Sequence, residues 1–188
     1  MAAPDLEPTP PSLTWQQTLW ENGKTVVFSL VIVFIIRMFI AEPRYIPSAS
    51  MLPTLEEGDR VVVEKVSYYF QPPHQGDVIV FNPPAQLQDW GYLPNQAFIK
   101  RVIGTPGHAI AVQNHQVYED EQALQEPYIF EPPAYEMPSL PIPRETLFVM
   151  GDNRNNSNDS HVWGYLPAQN VIGRAVFRFW PLNRMGWI

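Results

Sequence analysis

The chain has no cysteine. Thiol catalysis, disulfide staples and cysteine metal sites are therefore excluded, although the compartment is not fixed by this. Lysine is nearly as scarce, with only Lys24, Lys65 and Lys100 in 188 residues. Histidine is confined to His74, His108, His115 and His161. Carboxylates outnumber basic side chains and the net charge is −7, which argues against a nucleic-acid partner. Amphipathic helical stretches are also lacking beyond the N-terminal third, so a doubly wound parallel sheet is not expected. Proline is abundant, at 21 residues, clustered at 4–11, 72–73, 83–84 and 132–143. Helix interiors tolerate it badly. A mainly β, antiparallel, loop-rich domain is the expected fold class.

One long apolar run stands out. Residues 25–41, TVVFSLVIVFIIRMFIA, carry one charge. The length is close to the ~20 residues that span a bilayer core, and Arg37 near one end can snorkel to the interface. A transmembrane helix is expected. A buried core helix fits less well, because the run is apolar on every side. A cleaved signal peptide fits less well too: the leader is acidic and the small-residue stretch Ser48–Ser50 lies far from the run. Residues 1–24 are expected to be a disordered tail, its first 14 residues rich in Pro and acidic side chains. Residues 42–188 form the expected β domain.

Past Ala41 the texture becomes short β-branched runs bounded by Gly, Pro or Asn. They are Arg60–Val66, Asp77–Phe81, Phe98–Gly104, Ala109–Val112, Gln116–Glu119, Thr146–Gly151 and Gly173–Trp180. Gln113-Asn114-His115 reads as a hairpin turn. A smaller β region is expected within about 105–145. Its proline-rich part, Glu126–Arg144, reads as an ordered surface excursion.

The stretch SASMLPTL, Ser48–Leu55, raises the possibility of a serine nucleophile. Such a serine needs a base, an orienting group and oxyanion donors. No GxSxG elbow surrounds Ser50, and His74 and His115 fall in loops. Lysine is the alternative base. Lys65 adjoins Glu64 and would stay protonated. Lys100 lies in FIKRVIG, where alternation puts it on one face with Phe98 and Val102, and Ile99 with Arg101 on the other. A solvent-facing edge-strand lysine is the plainer reading of that segment; a desolvated one is the reading that gives chemistry. A free lysine, with pKa about 10.4, is neutral in roughly one molecule in 2,500 at pH 7, a penalty of about 4.6 kcal/mol. Burial that brought it near pKa ~8 would recover most of that. The stretch GDNRNNSNDSHVWG, Gly151–Gly164, is dense in Asp, Asn and Ser. By itself it suggests Asx turns; the spacing and closing Glu of a calcium loop are missing, and no metal or other cofactor is expected.

Three of these stretches, YIPSASMLPTL, FIKRVIGTPG and GDNRNNSNDSHVWG, resemble the boxes of type I signal peptidase (leader peptidase). GDRVVVEK and GDVIVF match two more, in order, over most of residues 37–180. The last motif, with EPPAY upstream, is most similar to the cyanobacterial and thylakoidal branch. The resemblance implies a membrane-bound serine endopeptidase that removes signal peptides from exported preproteins after small residues at −1 and −3. It implies Ser50 as nucleophile, Lys100 as general base, and Ser48 with the Ser50 N–H as oxyanion donors. Ser157 would orient the Lys100 amine, with Asp159, Asp152 and Arg154 as support. Ile46, Met51, Phe98 and Ile99 would wall the substrate pockets. Preproteins and membrane lipid are the implied partners.

Three departures qualify the match. Ala49 stands where Gly is frequent, His108 where an acid is common, and His161 where another basic residue is common. A salt bridge from Asp159 to a neighbouring arginine therefore does not follow from the resemblance, although Arg154 is a candidate. Charges around the span (Lys24 before it; Arg37, Arg44 and Arg60 after) do not follow the positive-inside rule. The resemblance instead places the catalytic domain on the exported side, periplasmic or lumenal, of a plasma or thylakoid membrane. Two rivals are a self-cleaving Ser-Lys regulator, for which residues 1–24 are too short a DNA-binding module, and a non-enzymatic membrane-tethered β domain.

Overall fold

The computed structural model describes residues 15–188. The first 14 residues of the expected tail lie outside them. Residues 15–24, the rest of that tail, are helical instead. An α-helix runs Trp15–Ile35 and continues as a π-helical turn, Ile36–Ile40. No proline follows Pro11 until Pro43, and Lys24 pairs with Glu21 at 2.6 Å one turn earlier, a spacing that supports helix. The 26 residues Trp15–Ile40 are long and apolar enough to cross a membrane.

Phe39–Ile188 is a separate compact unit built on two antiparallel sheets. Its strands are β1 (Ala41–Tyr45), β2 (Arg60–Glu64), β3 (Val78–Phe81), β4 (Phe98–Gly104), β5 (Ala109–Gln113), β6 (Gln116–Glu119), β7 (Gln122–Ala123), β8 (Met137–Pro141), β9 (Thr146–Met150), β10 (Leu166–Pro167), β11 (Val171–Trp180) and β12 (Gly186–Trp187). The larger sheet runs β1-β2-β11-β3-β4-β9-β10, with β12 beside β11; the smaller runs β7-β6-β5-β8. The turn between β5 and β6 holds Asn114 and His115 at positive φ, 49° and 63°, the left-handed pair that a tight hairpin requires.

Five strands lie where the sequence patterns gave none: the two-residue β7, β10 and β12, and the longer β1 and β8. β1 contains Pro43, and β8 contains Pro138 and Pro141. Both strands end their sheets, where a missing N–H costs no ladder bond. The excursion thus returns as β8, pairing with β5.

β3 and β4 sit inside the larger sheet, and every β4 residue from Ile99 onward is buried. One core cluster joins Ile46, Met51, Leu55, Val61, Val80 and Ile99. Another packs Ile79, Phe81, Val102, Val149 and Trp163. The smaller sheet shares a third with β4 and β9 through Ile103, Ile110, Phe148 and Met150. β4 thereby becomes a rigid platform buried on both faces.

Candidate active site

Ser50 lies in a 3-10 turn, Ala49–Met51, capped by Ser48. The Ser48 hydroxyl donates to Ser50 Oγ at 3.1 Å and accepts from the Ser50 N–H at 3.4 Å. Lys100 projects from β4 to the same hydroxyl, with Nζ 2.6 Å from Ser50 Oγ and 2.9 Å from the Ile99 carbonyl. The lysine is 4% exposed, not on an edge strand. Burial lowers its pKa to about 8, against the opposing pull of the Asp159 and Asp152 carboxylates. A charged ammonium loses hydration there that two hydrogen bonds do not replace.

The loop after β9 holds the serine turn. Asn153 N–H donates to the Ser50 carbonyl at 3.1 Å, and Asn153 Nδ2 to the Ala49 carbonyl at 3.1 Å. Asp152 is fully buried and takes Arg101 Nε at 2.8 Å and Nη2 at 2.6 Å, with Thr54 Oγ1 donating at 2.5 Å. A buried ion pair of this kind is costly to break, because it strands the surviving charge. Gly151 packs directly on the serine turn: a Cβ there would stand 2.4 Å from the Ser50 carbonyl oxygen and 2.3 Å from Ser157 Oγ.

Asp159 is buried and accepts from the Gly151 N–H at 2.8 Å. Its other oxygen lies 2.7 Å from His161 Nδ1, whose ring stacks on Tyr135 with centroids 4.2 Å apart. His108 pairs with Asp120 at 2.7 Å on the exposed surface of the smaller sheet.

A cleft of about 370 Å³ opens over the pair, bordered by Ser48, Ser50, Tyr92, Phe98, Lys100 and Asn158. A smaller cavity, about 130 Å³, is lined by Ile46, Pro47, Val80, Ala97, Phe98 and Ile99, with Arg44 and Tyr45 at its side.

The model of the family described as signal peptidase, peptidase S26, matches residues 19–180. The chain belongs to that family. It is 61% identical over 170 residues to the probable signal peptidase I-1 of Synechocystis, covering 90% of this chain and 87% of that one. The signal peptidase I of Leptolyngbya laminosa is 54% identical over 89% of this chain and 83% of its own. Thylakoidal processing peptidase 1 of Arabidopsis thaliana is 41% identical over 88% of this chain and 49% of its own. As a member of the signal peptidase family the protein is a serine peptidase, a hydrolase.

Against the residues expected from the sequence, this signal peptidase family member brings Ser48, Ser50 and Lys100 together and differs in three places. Ser157 Oγ is buried but makes no hydrogen bond; the second bond of the Lys100 amine goes to Ile99. Arg154 does not pair with Asp159. It makes a two-pronged pair with Glu126, both contacts 2.7 Å, and donates Nε to the Gly151 carbonyl at 3.1 Å. Met51 is fully buried in the core and has no surface to offer a substrate, whereas Ile46, Phe98 and Ile99 line the small cavity.

Sequence reasoning passed over Arg101, Glu126, Asn153 and Thr54. Arg101 did leave a signal: an arginine flanked by apolar residues within a strand is rarely buried unless paired. Nothing in the sequence marked Glu126 as its neighbour's partner, because 28 residues separate it from Arg154.

Proposed function

We propose that the protein is a membrane-anchored endopeptidase that removes signal peptides from exported preproteins, with Ser50 as nucleophile and Lys100 as general base. The observation that carries this is a buried amine 2.6 Å from Ser50 Oγ with a pKa of about 8. At pH 7 roughly one such amine in ten is neutral, against one in 2,500 for a free lysine.

Neutral Lys100 takes the Ser50 proton as Oγ attacks the scissile carbonyl carbon. The oxyanion meets the Ser50 N–H and the Ser48 O–H once these turn from each other; their mutual contact at 3.4 Å is long enough to exchange cheaply. The tetrahedral adduct collapses, the C–N bond breaks, and the Lys100 ammonium protonates the departing amine of the mature protein. Lys100 then takes a proton from water, hydroxide attacks the Ser50 ester, and the signal peptide leaves as a carboxylate while Ser50 regains its proton. The small cavity walled by Ile46, Phe98 and Ile99 suits a small side chain at −1 or −3.

The apolar helix Trp15–Ile40 supports membrane anchoring. Enzyme and signal peptide held in one membrane plane meet at raised effective concentration without extra contacts. The exported side is the side on which the cleavage site emerges, so the catalytic domain belongs there. The test is incubation of the full chain in detergent with an exported preprotein, followed by N-terminal sequencing of the product. One cut after a small residue is expected. Processing by a well-folded Ser50→Ala variant overturns the nucleophile assignment.

A further inference from the structure

The segment Glu126–Tyr135 makes no hydrogen bond to Ser50 or Lys100, yet its contacts converge on the loop that holds the serine turn. Glu126, its side chain 6% exposed, holds both prongs of Arg154. The Phe130 N–H donates to the Asp152 carbonyl at 2.9 Å. These two contacts grip the residues on either side of Asn153, and Asn153 carries the bonds to the Ala49 and Ser50 carbonyls. Three further contacts lie alongside. The Arg101 guanidinium sits 4.0 Å over the Tyr128 ring. Asn155 donates to Glu131 Oε1 at 2.8 Å and the Pro132 carbonyl at 3.0 Å, and accepts from the Ala134 N–H at 2.7 Å. Tyr135 stacks on His161, the partner of Asp159.

A surface excursion that merely covered core would need none of these polar contacts. Its Pro127, Pro132 and Pro133 restrict the backbone, so the strap can impose a position rather than follow one. Apart from the Pro133 carbonyl, which lies 2.9 Å from His115 Nδ1, and the packing of Tyr135 on the third core cluster, these contacts land on Arg101 or on residues 152–161, the shell around Ser50 and Lys100. Serine attack needs Oγ aligned to within a fraction of an ångström, and a misplacement of about 1 Å costs on the order of 100-fold in rate.

We propose that Glu126–Tyr135 is a positioning strap for the reaction and that Glu126 is its anchoring residue, fixing the Ser50 turn through Arg154 and Asn153. This rests on Ser50 and Lys100 being the reacting pair.

The full chain in detergent, with Glu126→Gln and separately Asn155→Ala, is assayed for kcat, KM and active-site content, the last by titration with a covalent serine-directed probe. A positioning role lowers kcat per titrated site about 10- to 100-fold in Glu126→Gln, and several-fold in Asn155→Ala, with KM within about twofold. Wild-type kcat per titrated site, with only a lower melting temperature or fewer active sites, overturns the proposal. Should Glu126→Gln not fold, the exposed Asn155 decides: unchanged kcat in Asn155→Ala overturns the strap, a drop at constant KM supports it. Failure of wild type itself to acylate with the probe instead overturns the Ser50–Lys100 pair, a distinguishable result.

Discussion

Lys100 and Arg101 are consecutive on β4 and both buried, but Arg101 is clasped by the Asp152 carboxylate while Lys100 reaches only a hydroxyl and a carbonyl. One cation is neutralised by a partner. The other is desolvated without one, and burial lowers its pKa to about 8. The two cannot exchange roles: Lys100→Arg leaves a group that does not deprotonate in the working range. It should abolish preprotein cleavage while the purified variant still melts cooperatively. Detectable turnover by that variant would remove lysine from the base role.

The pH dependence of kcat/KM should follow the lysine. Cleavage rises with pH as the Lys100 ammonium loses its proton, with the acidic limb centred near its pKa of about 8. None of the four histidines hydrogen-bonds to Ser50 or Lys100. Replacing His74, His108 and His115 by Ala and His161 by Gln should leave most activity and the same limb. A limb near pH ~6.5 that vanishes with one histidine would put that histidine in the place of Lys100.

Burial of the same lysine has a cost in stability. Its pKa is about 8 folded against an ordinary 10.5, so between those values the unfolded chain binds more protons than the folded one. Wild-type stability therefore gains across that window and carries the full cost below it. The difference is worth about 3 kcal/mol. Lys100→Met should be more stable than wild type at pH 7, with the advantage shrinking by roughly that amount by pH ~10.5. Denaturant titrations at the two pH values measure this; a pH-independent difference would mean that the lysine has the same pKa folded and unfolded, so that burial does not lower it.

Gly151 should not tolerate even a methyl group. The Ser50 carbonyl oxygen 2.4 Å from the would-be Cβ is backbone and cannot rotate away. Gly151→Ala should push the serine turn and cut the rate on the order of 100-fold, with a stability loss of about 1–3 kcal/mol from overpacking. Probe-labelling kinetics and a thermal melt separate the two effects. Wild-type labelling would show that the loop yields.

The point of truncation should matter sharply. β1 pairs with β2 from Ala41↔Glu64 to Tyr45↔Arg60, the Lys65 N–H donates to the Ile40 carbonyl at 2.8 Å, and Glu42 pairs with Arg44 and Lys65. A chain beginning at Phe39 should fold and cleave in detergent, less efficiently on membrane-borne preprotein. One beginning at Ile46 loses β1 and bares the β2 edge, a template for aggregation. Light scattering and cleavage assays compare the two; equal behaviour would make β1 dispensable.

Strands with clear alternation or apolar runs were legible to within a few residues. Phe98–Gly104 carries the same bounds in sequence and structure. β1 and β8 were hidden because proline argues against a strand until the strand is known to lie at an edge. Within the site, scarcity of lysine and histidine narrowed the bases, and the resemblance selected Ser50 and Lys100. The ion pairs were a different matter. Arg154 looked destined for Asp159 because the two are five positions apart, but the chain turns so that Asp159 faces the Gly151 N–H and His161, and the carboxylate for Arg154 arrives on the strap. Pairings made across two sheets are set by topology, which periodicity does not encode.

The position of β11 bears on when the enzyme comes into being. That late strand lies between β2 and β3, so the half of the sheet that supports the Ser50 turn cannot join the half that carries Lys100 until Val171–Trp180 has been made. Such distant pairing is slow to form. A ribosome-bound nascent chain that already contains Ser50, Lys100 and the Gly151–His161 loop still lacks the strand that joins the two halves, so proteolytic competence is expected to wait for Val171–Trp180.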